Sequence, residues 1–297
     1  MTSPLRQDVT VLIPTLGRPV LERVLYALEA GSVWPAEIVV VDQSLNGHAR
    51  PLAEAFSARG LQVRWVPCAG RGRALGLNTG LGVINAGWVL ITDDDCLPDP
   101  QWLVSTVRRL EGLPAGLVTG RVDAESGTVQ LSVVTRERES LQRRPALRFD
   151  HLSGGNMGAH RNTLSRIGPF TTLEVMRYSE DGDYAYRALR AGVPILYAPE
   201  CRVTHLAWRD SESRQDQYRY YAQSQAGFLG YYSRAGHLII WLRTVVHLVR
   251  STKRWLLSSL VGQREQALNG RYYVIGFFSG FLAGWHARAS KTGLPRQ

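Results

Sequence analysis

Val9-Thr10-Val11-Leu12-Ile13-Pro14 and Glu37-Ile38-Val39-Val40-Val41-Asp42 are short apolar runs, and the segment between them, Pro19 to Ala30, has helical spacing. Continuous apolar runs of this length read as strands buried on both faces. Strand, helix, strand implies a parallel pair, since parallel neighbours need a crossover. The pattern continues outward. Leu52 to Arg59 suits a second helix, Gln62 to Pro67 a third strand, Arg73 to Ala86 a glycine-interrupted helix, and Trp88 to Thr92 a fourth strand. Repeated units of this kind specify an α/β fold with a mostly parallel, doubly wound, Rossmann-like sheet, whose ligands bind beyond the carboxyl ends of the strands. Thr15, Asp42 and Asp93 stand at such ends.

The fourth strand runs into Asp93-Asp94-Asp95. A cluster of carboxylates at a strand end suits a hard divalent cation, Mg²⁺ or Mn²⁺, which takes oxygen ligands and substrate phosphates. A solvated turn closed by Leu97-Pro98-Asp99-Pro100 is the plainer reading of the triplet alone. Farther on, Gly116 to Val122 and Thr128 to Val134 read as short strands, and the charged stretch 136–144 as a loop. Ser153-Gly154-Gly155-Asn156-Met157-Gly158 lets backbone approach a ligand closely. Phe170 to Arg190 carries Ser179-Glu180-Asp181-Gly182-Asp183 into a helix, and Val193 to Ala198 is a last strand leading to Val203-Thr204-His205.

The 297-residue chain is long enough for one large domain with an appendage, and its formal charge of +10 suggests anionic partners: nucleotide phosphates, acidic headgroups or nucleic acid. Cys68, Cys96 and Cys201 lack CxxC or zinc-site spacing, which favours a reducing compartment. The polar stretch Met1 to Asp8 has no apolar h-region, which argues against a secretory signal. No run reaches the roughly 18–20 apolar residues of a bilayer span.

In order and spacing these pieces resemble the family 2 glycosyltransferases of GT-A fold, over about residues 8–210. The residues that carry the resemblance are Ile13-Pro14-Thr15-Leu16-Gly17-Arg18, Val40-Val41-Asp42-Gln43-Ser44 and Gly70 to Gly80. Asp93-Asp94-Asp95, Gly154-Gly155-Asn156-Met157, Glu180-Asp181 with Arg187 and Gly192, and His205 complete the set. The resemblance implies an inverting transferase using a UDP-, dTDP- or GDP-linked sugar, with Mn²⁺ or Mg²⁺ as cofactor. It implies Asp95, Asp93 and His205 as metal ligands, and Asp181 as general base with Glu180 orienting the acceptor; Asp183 competes for the base role. Pro14, Thr15, Arg18, Asp42, Arg71, Arg73, Asn78, Asp93, Asp94, Gly155 and Asn156 are implied on the nucleotide-sugar side. The Arg71-Gly72-Arg73 run departs from the family's small-residue pattern. Without the resemblance, Asp42 reads equally as a turn former, and Glu180 and Asp181 as helix-dipole partners.

The catalytic domain is expected over 1–225, with a helical region over 226–297. In Gly236 to Gly262, Arg243, His247, Arg250 and Arg254 stack along one helix face amid apolar residues, as in a basic amphipathic helix lying in an anionic headgroup plane. Tyr272 to Trp285, with Arg271 before it and Arg288 and Lys291 after it, is too short to span and could dip into the interface. The alternative is packing on the catalytic domain or on a second subunit, as a homo-oligomer. The cluster Gln217-Tyr218-Arg219-Tyr220-Tyr221 could join an acceptor site, and lacks the Gln-x-x-Arg-Trp pattern of processive synthases. The expectation is transfer of a single sugar to a glycan or lipid-linked acceptor in cell-surface polysaccharide or glycoconjugate synthesis, at the inner face of the cell membrane. A sugar-phosphate nucleotidyltransferase would open with a Gly-rich basic loop, which Pro14-Thr15-Leu16-Gly17-Arg18 is not. A nucleic-acid-binding or scaffold protein is the remaining alternative, and the dispersed basic residues disfavour nucleic acid.

Overall fold

The computed structural model describes residues 5–126, 133–147, 150, 152–207 and 211–288. Residues 1–144, 151–170 and 187–208 form one compact unit, and 145–150, 171–186 and 209–297 a second.

The first unit holds a mixed sheet. β1 (Leu5–Thr15), β2 (Trp34–Asp42), β3 (Val63–Pro67) and β4 (Trp88–Thr92) are the parallel strands the sequence announces. They are linked by α1 (Leu21–Glu29), α2 (Arg50–Ala58) and α3 (Arg73–Leu81), the last shorter than its expected Ala86 end. The rest of the sheet comprises β5 (Cys96–Pro98), β6 (Leu117–Ala124), β7 (Ser140–Gln142), β8 (Asn156–His160) and β9 (Ile195–His205). Among the described residues the strand order is β3-β2-β1-β4-β8-β6-β9-β5, with β7 paired to β9. Val11, Leu12 and Ile13 of β1 and Val39, Val40 and Val41 of β2 are fully buried. Each such side chain contributes about 1.5–3 kcal/mol, so the centre of the sheet is its most stable part.

Three parts of the sheet go beyond the sequence reading. The glycine-rich segment, to which the sequence assigned no element, becomes β8 from Asn156 and runs antiparallel between β4 and β6. Part of the charged stretch is the edge strand β7, and Tyr197 Oη of β9 donates to the Arg136 carbonyl. The last strand does not stop at Ala198; it continues to His205, past a register shift between Gly120 and Arg121 of β6. The expected strand Thr128 to Val134 lies mostly outside the described residues, though Val134 bridges Val122.

α4 (Trp102–Glu111) packs on the face of the sheet that carries Leu90 and Val118, and α5 (Arg161–Ile167), capped by His160, whose Nδ1 accepts from the Asn162 amide, lies on the other face beside Val89. α6 (Glu180–Arg190) begins in the second unit. The second unit is otherwise built from α7 (Ser211–Arg234), α8 (Leu238–Leu260) and α9 (Arg264–His286), so the boundary read at residue 225 falls inside α7. α7 and α9 meet backbone to backbone. A Cβ on Gly284 would lie 2.0 Å from the Gly227 carbonyl oxygen, and one on Gly280 would lie 2.2 Å from that of Gln223. The small residues of α9 therefore serve helix packing, the use to which small-xxx-small spacing is suited.

The basic row of α8 is split, with Arg250 and Arg254 exposed and its first two members turned inward. Arg243 and His247 are buried, while Leu242, Val245 and Val249 are exposed. Arg243 is turned inward by Asp150, 3.0 Å away, and donates to the Ala146 carbonyl. A paired guanidinium can be buried where an unpaired one cannot. Among the described residues no helix is long and apolar enough to cross a membrane.

Candidate active site

Register brings the polar strand ends together. Thr15 closes β1 opposite Asp42 of β2, and β4 beside β1 delivers the three aspartates. Asp94 turns back into the sheet, where it accepts from Thr15 Oγ1 at 2.6 Å and from Arg18 Nη1 at 2.8 Å. Burial pushes its carboxyl up to about 6, against the opposing pull of Arg18. Arg18 Nη1 is also 3.7 Å from Asp95 Oδ2. Asp93 takes a second guanidinium: Arg73 donates from Nε at 2.6 Å, and from Nη2 to the Gly154 carbonyl at 2.6 Å.

The glycines are required by this arrangement. A Cβ on Gly155 would meet Cys96 Sγ at 2.8 Å and Asp93 Oδ2 at 2.9 Å, and one on Gly154 would meet Arg73 Nη1 at 2.9 Å. What approaches their backbone is the Arg73–Asp93 pair. Asn156 follows, buried, with its amide engaged on both sides. Its Oδ1 accepts from Trp102 Nε1 at 2.8 Å, and its Nδ2 donates to the carbonyls of Arg121 and Cys201 at 2.9 and 2.8 Å. It joins β8 to α4, β6 and β9.

His205 arrives from the far end of β9. Pairing of Cys96 with His205 in the β5–β9 ladder sets it beside Asp95, and the Leu206 amide donates to the Asp95 carbonyl at 2.8 Å. Ligand atoms of Asp95, Cys96 and His205 lie within 4.8 Å of one another. His205 Nε2 stands 3.8 Å from Asp95 Oδ1, beyond a hydrogen bond. Two metal–ligand bonds of about 2.1 Å span at most roughly 4.2 Å, so this separation suits one divalent ion held by both. Cys96, set aside in the sequence for want of zinc-site spacing, follows the triplet directly. Burial pushes its thiol well above the ordinary range, and a neutral thiol is a poor ligand for a hard cation. Asp93 lies outside this group and pairs with Arg73 instead.

The remaining residues divide by what they touch. Asp42 accepts from the amides of Ser44 (2.8 Å) and Ala49 (3.0 Å) and from Trp65 Nε1 (3.1 Å), which hold its carboxyl below the usual range although burial opposes them. Asn78 bonds both the amide and the carbonyl of Phe170, at 2.8 and 2.9 Å. Pro14 is buried, with its Cβ 3.0 Å from where a Cβ on Gly76 would stand. Arg71 is exposed. Arg187 donates to the carbonyls of Ile167 and Pro169, both at 2.8 Å.

In the second unit, α6 presents three acids in its first turn, Glu180, Asp181 and Asp183. Glu180 and Asp183 are buried, and Asp183 accepts from Tyr232 Oη at 2.7 Å. Asp181 is half-buried, its Oδ1 accepting from the Gly182 amide at 2.7 Å.

Residues 6–220 match the family described as glycosyltransferase like family 2. The chain belongs to this family. It is also similar to solved GT-A glycosyltransferase structures. Residues 1–349 of TarS from S. aureus, in complex with UDP-GlcNAc, share 14% identity at a TM-score of 0.54, over 92% of this chain and 91% of that one. GalNAc-T7 with UDP, GalNAc and Mn²⁺ shares 15% identity at 0.53, over 73% of this chain. Longer S. aureus TarS shares 16% at 0.53, over 75%. The family 2 chain spans 47% of the length of GalNAc-T7 and 43% of that longer TarS. No curated protein matches it in sequence.

Asn156→Ala in this family member leaves a buried indole N–H and two carbonyls without partners. The expected loss is about 3 kcal/mol of folding stability, measured by urea unfolding; a loss below about 1 kcal/mol would contradict the joint described.

Proposed function

We propose that the protein is an inverting glycosyltransferase that moves one sugar from a nucleoside-diphosphate donor to a hydroxyl of a glycan or lipid-linked acceptor. The observation that carries this reading is the Asp95–His205 pair, 3.8 Å apart at the carboxyl edge of a family 2 sheet. The UDP, UDP-GlcNAc and Mn²⁺ held by the similar structures support a uridine donor and a divalent cofactor, Mn²⁺ or Mg²⁺. A dTDP- or GDP-sugar fits the same chemistry. Asp95 and His205 would hold the ion. Bound there, it supplies Lewis-acid stabilisation to the charge developing on the departing diphosphate. Thr15, Arg18, Asp42, Arg71 and Arg73 belong to the nucleotide side of this proposal, and Arg18 and Arg73 keep the three aspartates from repelling an incoming diphosphate. The catalytic part is assigned to residues 1–225.

Asp181 is the proposed base. As the acceptor oxygen bonds to the anomeric carbon and the carbon–oxygen bond to the diphosphate breaks, the hydroxyl proton passes to the Asp181 carboxylate. Partial exposure supports Asp181 over Asp183, which is buried against Tyr232. Glu180 orients the acceptor.

A peripheral place at the inner face of the cell membrane, in polysaccharide or glycoconjugate synthesis, completes the reading. Its support is the exposed apolar surface of α8 and α9, where Val245, Val249, Ile275, Phe278 and Leu282 are each more than half exposed.

Calorimetry with UDP, dTDP and GDP is expected to show micromolar binding of one nucleotide with Mn²⁺ and none with chelator. Asp95→Ala should weaken it by at least about tenfold, and unchanged affinity rejects Asp95 as a ligand. Asp181→Asn should lower turnover by about 10²–10⁴-fold with donor affinity kept, read as nucleoside-diphosphate release with an acceptor extract active for the wild type; undiminished turnover rejects the base. Leu242→Gln with Val245→Gln and Val249→Gln should abolish cosedimentation with phosphatidylglycerol vesicles. Undiminished sedimentation sinks the membrane reading, and a dimer dissolved by the same variant would assign the stripe to a second copy of the chain.

A further inference from the structure

The helical unit contains a basic cleft of about 210 Å³ between α7, α8 and α9. Arg243, His247, Arg250 and Arg254 of α8 line it, with Gln225 of α7 and Tyr273 of α9 among the other walls. At about 100° per residue the four α8 positions fall within about 60° of arc. The space equals that of about seven waters at roughly 30 Å³ each.

Charge in the cleft is one-sided. Arg243 is compensated by Asp150 at 3.0 Å. Arg250 and Arg254, exposed at the rim, make no ion pair with a described residue. Among the described residues no carboxylate lines the cleft. Like charges at i and i+4 destabilise a helix by a few tenths of a kcal/mol, so the arrangement costs stability unless an anion sits between them. Burial, reinforced by Arg250 and Arg254, pushes His247 down to about 4, so it is neutral near pH 7. Burial pushes the Tyr273 hydroxyl up to about 12, which leaves it a donor. Two guanidinium forks one turn apart, with neutral donors beneath, supply more donors than the two oxygens of one carboxylate accept and suit the three or four oxygens of a phosphate.

We propose that this cleft binds a phosphate or diphosphate group, gripped by Arg250 and Arg254 at the rim and met by the neutral donors Gln225 and Tyr273 inside. The exposed stripe of Leu242, Val245 and Val249 lies roughly 130° round α8 from the basic row, so a flat headgroup plane does not reach both, and the cleft grips one anion at a time. None of the residues assigned to the donor side lines this cleft, and the proposal does not rest on the transferase reading.

The test uses the full chain with chelator present, so that metal-dependent nucleotide binding does not contribute. Inorganic pyrophosphate is titrated by calorimetry into the wild type, the double variant Arg250→Gln/Arg254→Gln, and Arg250→Lys/Arg254→Lys. The expected result is sub-millimolar binding, weakened at least tenfold by the Gln pair and partly kept by the Lys pair, with the thermal midpoint of neither variant lowered. A second arm compares sedimentation on phosphatidylcholine vesicles with and without phosphatidic acid. Phosphatidic-acid-dependent sedimentation lost in the Gln pair identifies a lipid headgroup as the source of the phosphate; pyrophosphate binding without it identifies a soluble one. Absence of both, or equal binding by wild type and Gln pair, overturns the proposal.

Discussion

Three consecutive carboxylates at the end of a buried strand are the constraint on which the first unit depends. Two like charges about 4 Å apart near a protein surface repel by about 4 kcal/mol, so Asp93, Asp94 and Asp95 persist only with partners. Asp94 turns inward to Thr15 and Arg18, and Asp93 to Arg73. Asp95 lies 3.7 Å from Arg18 Nη1 and 3.8 Å from His205 Nε2. The triplet is thus three different groups: a buried anchor, a pair with Arg73, and a carboxylate beside His205.

Neutralisation in turn dictates the neighbouring chain. Arg73 reaches Asp93 because Gly154 and Gly155 carry no side chains, and the strand that follows them is locked by the Asn156 amide between α4, β6 and β9. The same sheet carries His205 to Asp95 through the Cys96–His205 pairing. Residues far apart in sequence therefore meet at fixed spacing on rigid strands.

In the helical unit the governing interaction is the Arg243–Asp150 pair. It reverses what amphipathicity suggests, since the basic row lines a cleft and the apolar row faces out. Removing one partner of such a buried pair costs about 3–5 kcal/mol, so Asp150 holds the orientation of α8.

The parallel half of the sheet was legible in the sequence, because fully buried strands must be continuous apolar runs and crossover helices must separate them. Trp88 to Thr92 was read to its exact ends, and the placement of Thr15, Asp42 and Asp93 at one edge followed from strand direction alone. The antiparallel strand β8 was not legible: Asn156-Met157-Gly158-Ala159-His160 lacks β-branched residues, and its pairing depends on neighbours distant in sequence. Nor could sequence divide the roles of the three aspartates or assign Asn156 and Asn78 their backbone partners, because hydrogen-bond satisfaction is decided only when remote carbonyls and amides are brought near. Helical periodicity likewise places Arg243, His247, Arg250 and Arg254 on one face without saying which way that face turns. Composition and local pattern determined the elements and their chemistry; burial and pairing between remote segments, a property of the folded chain alone, decided which of those residues meet.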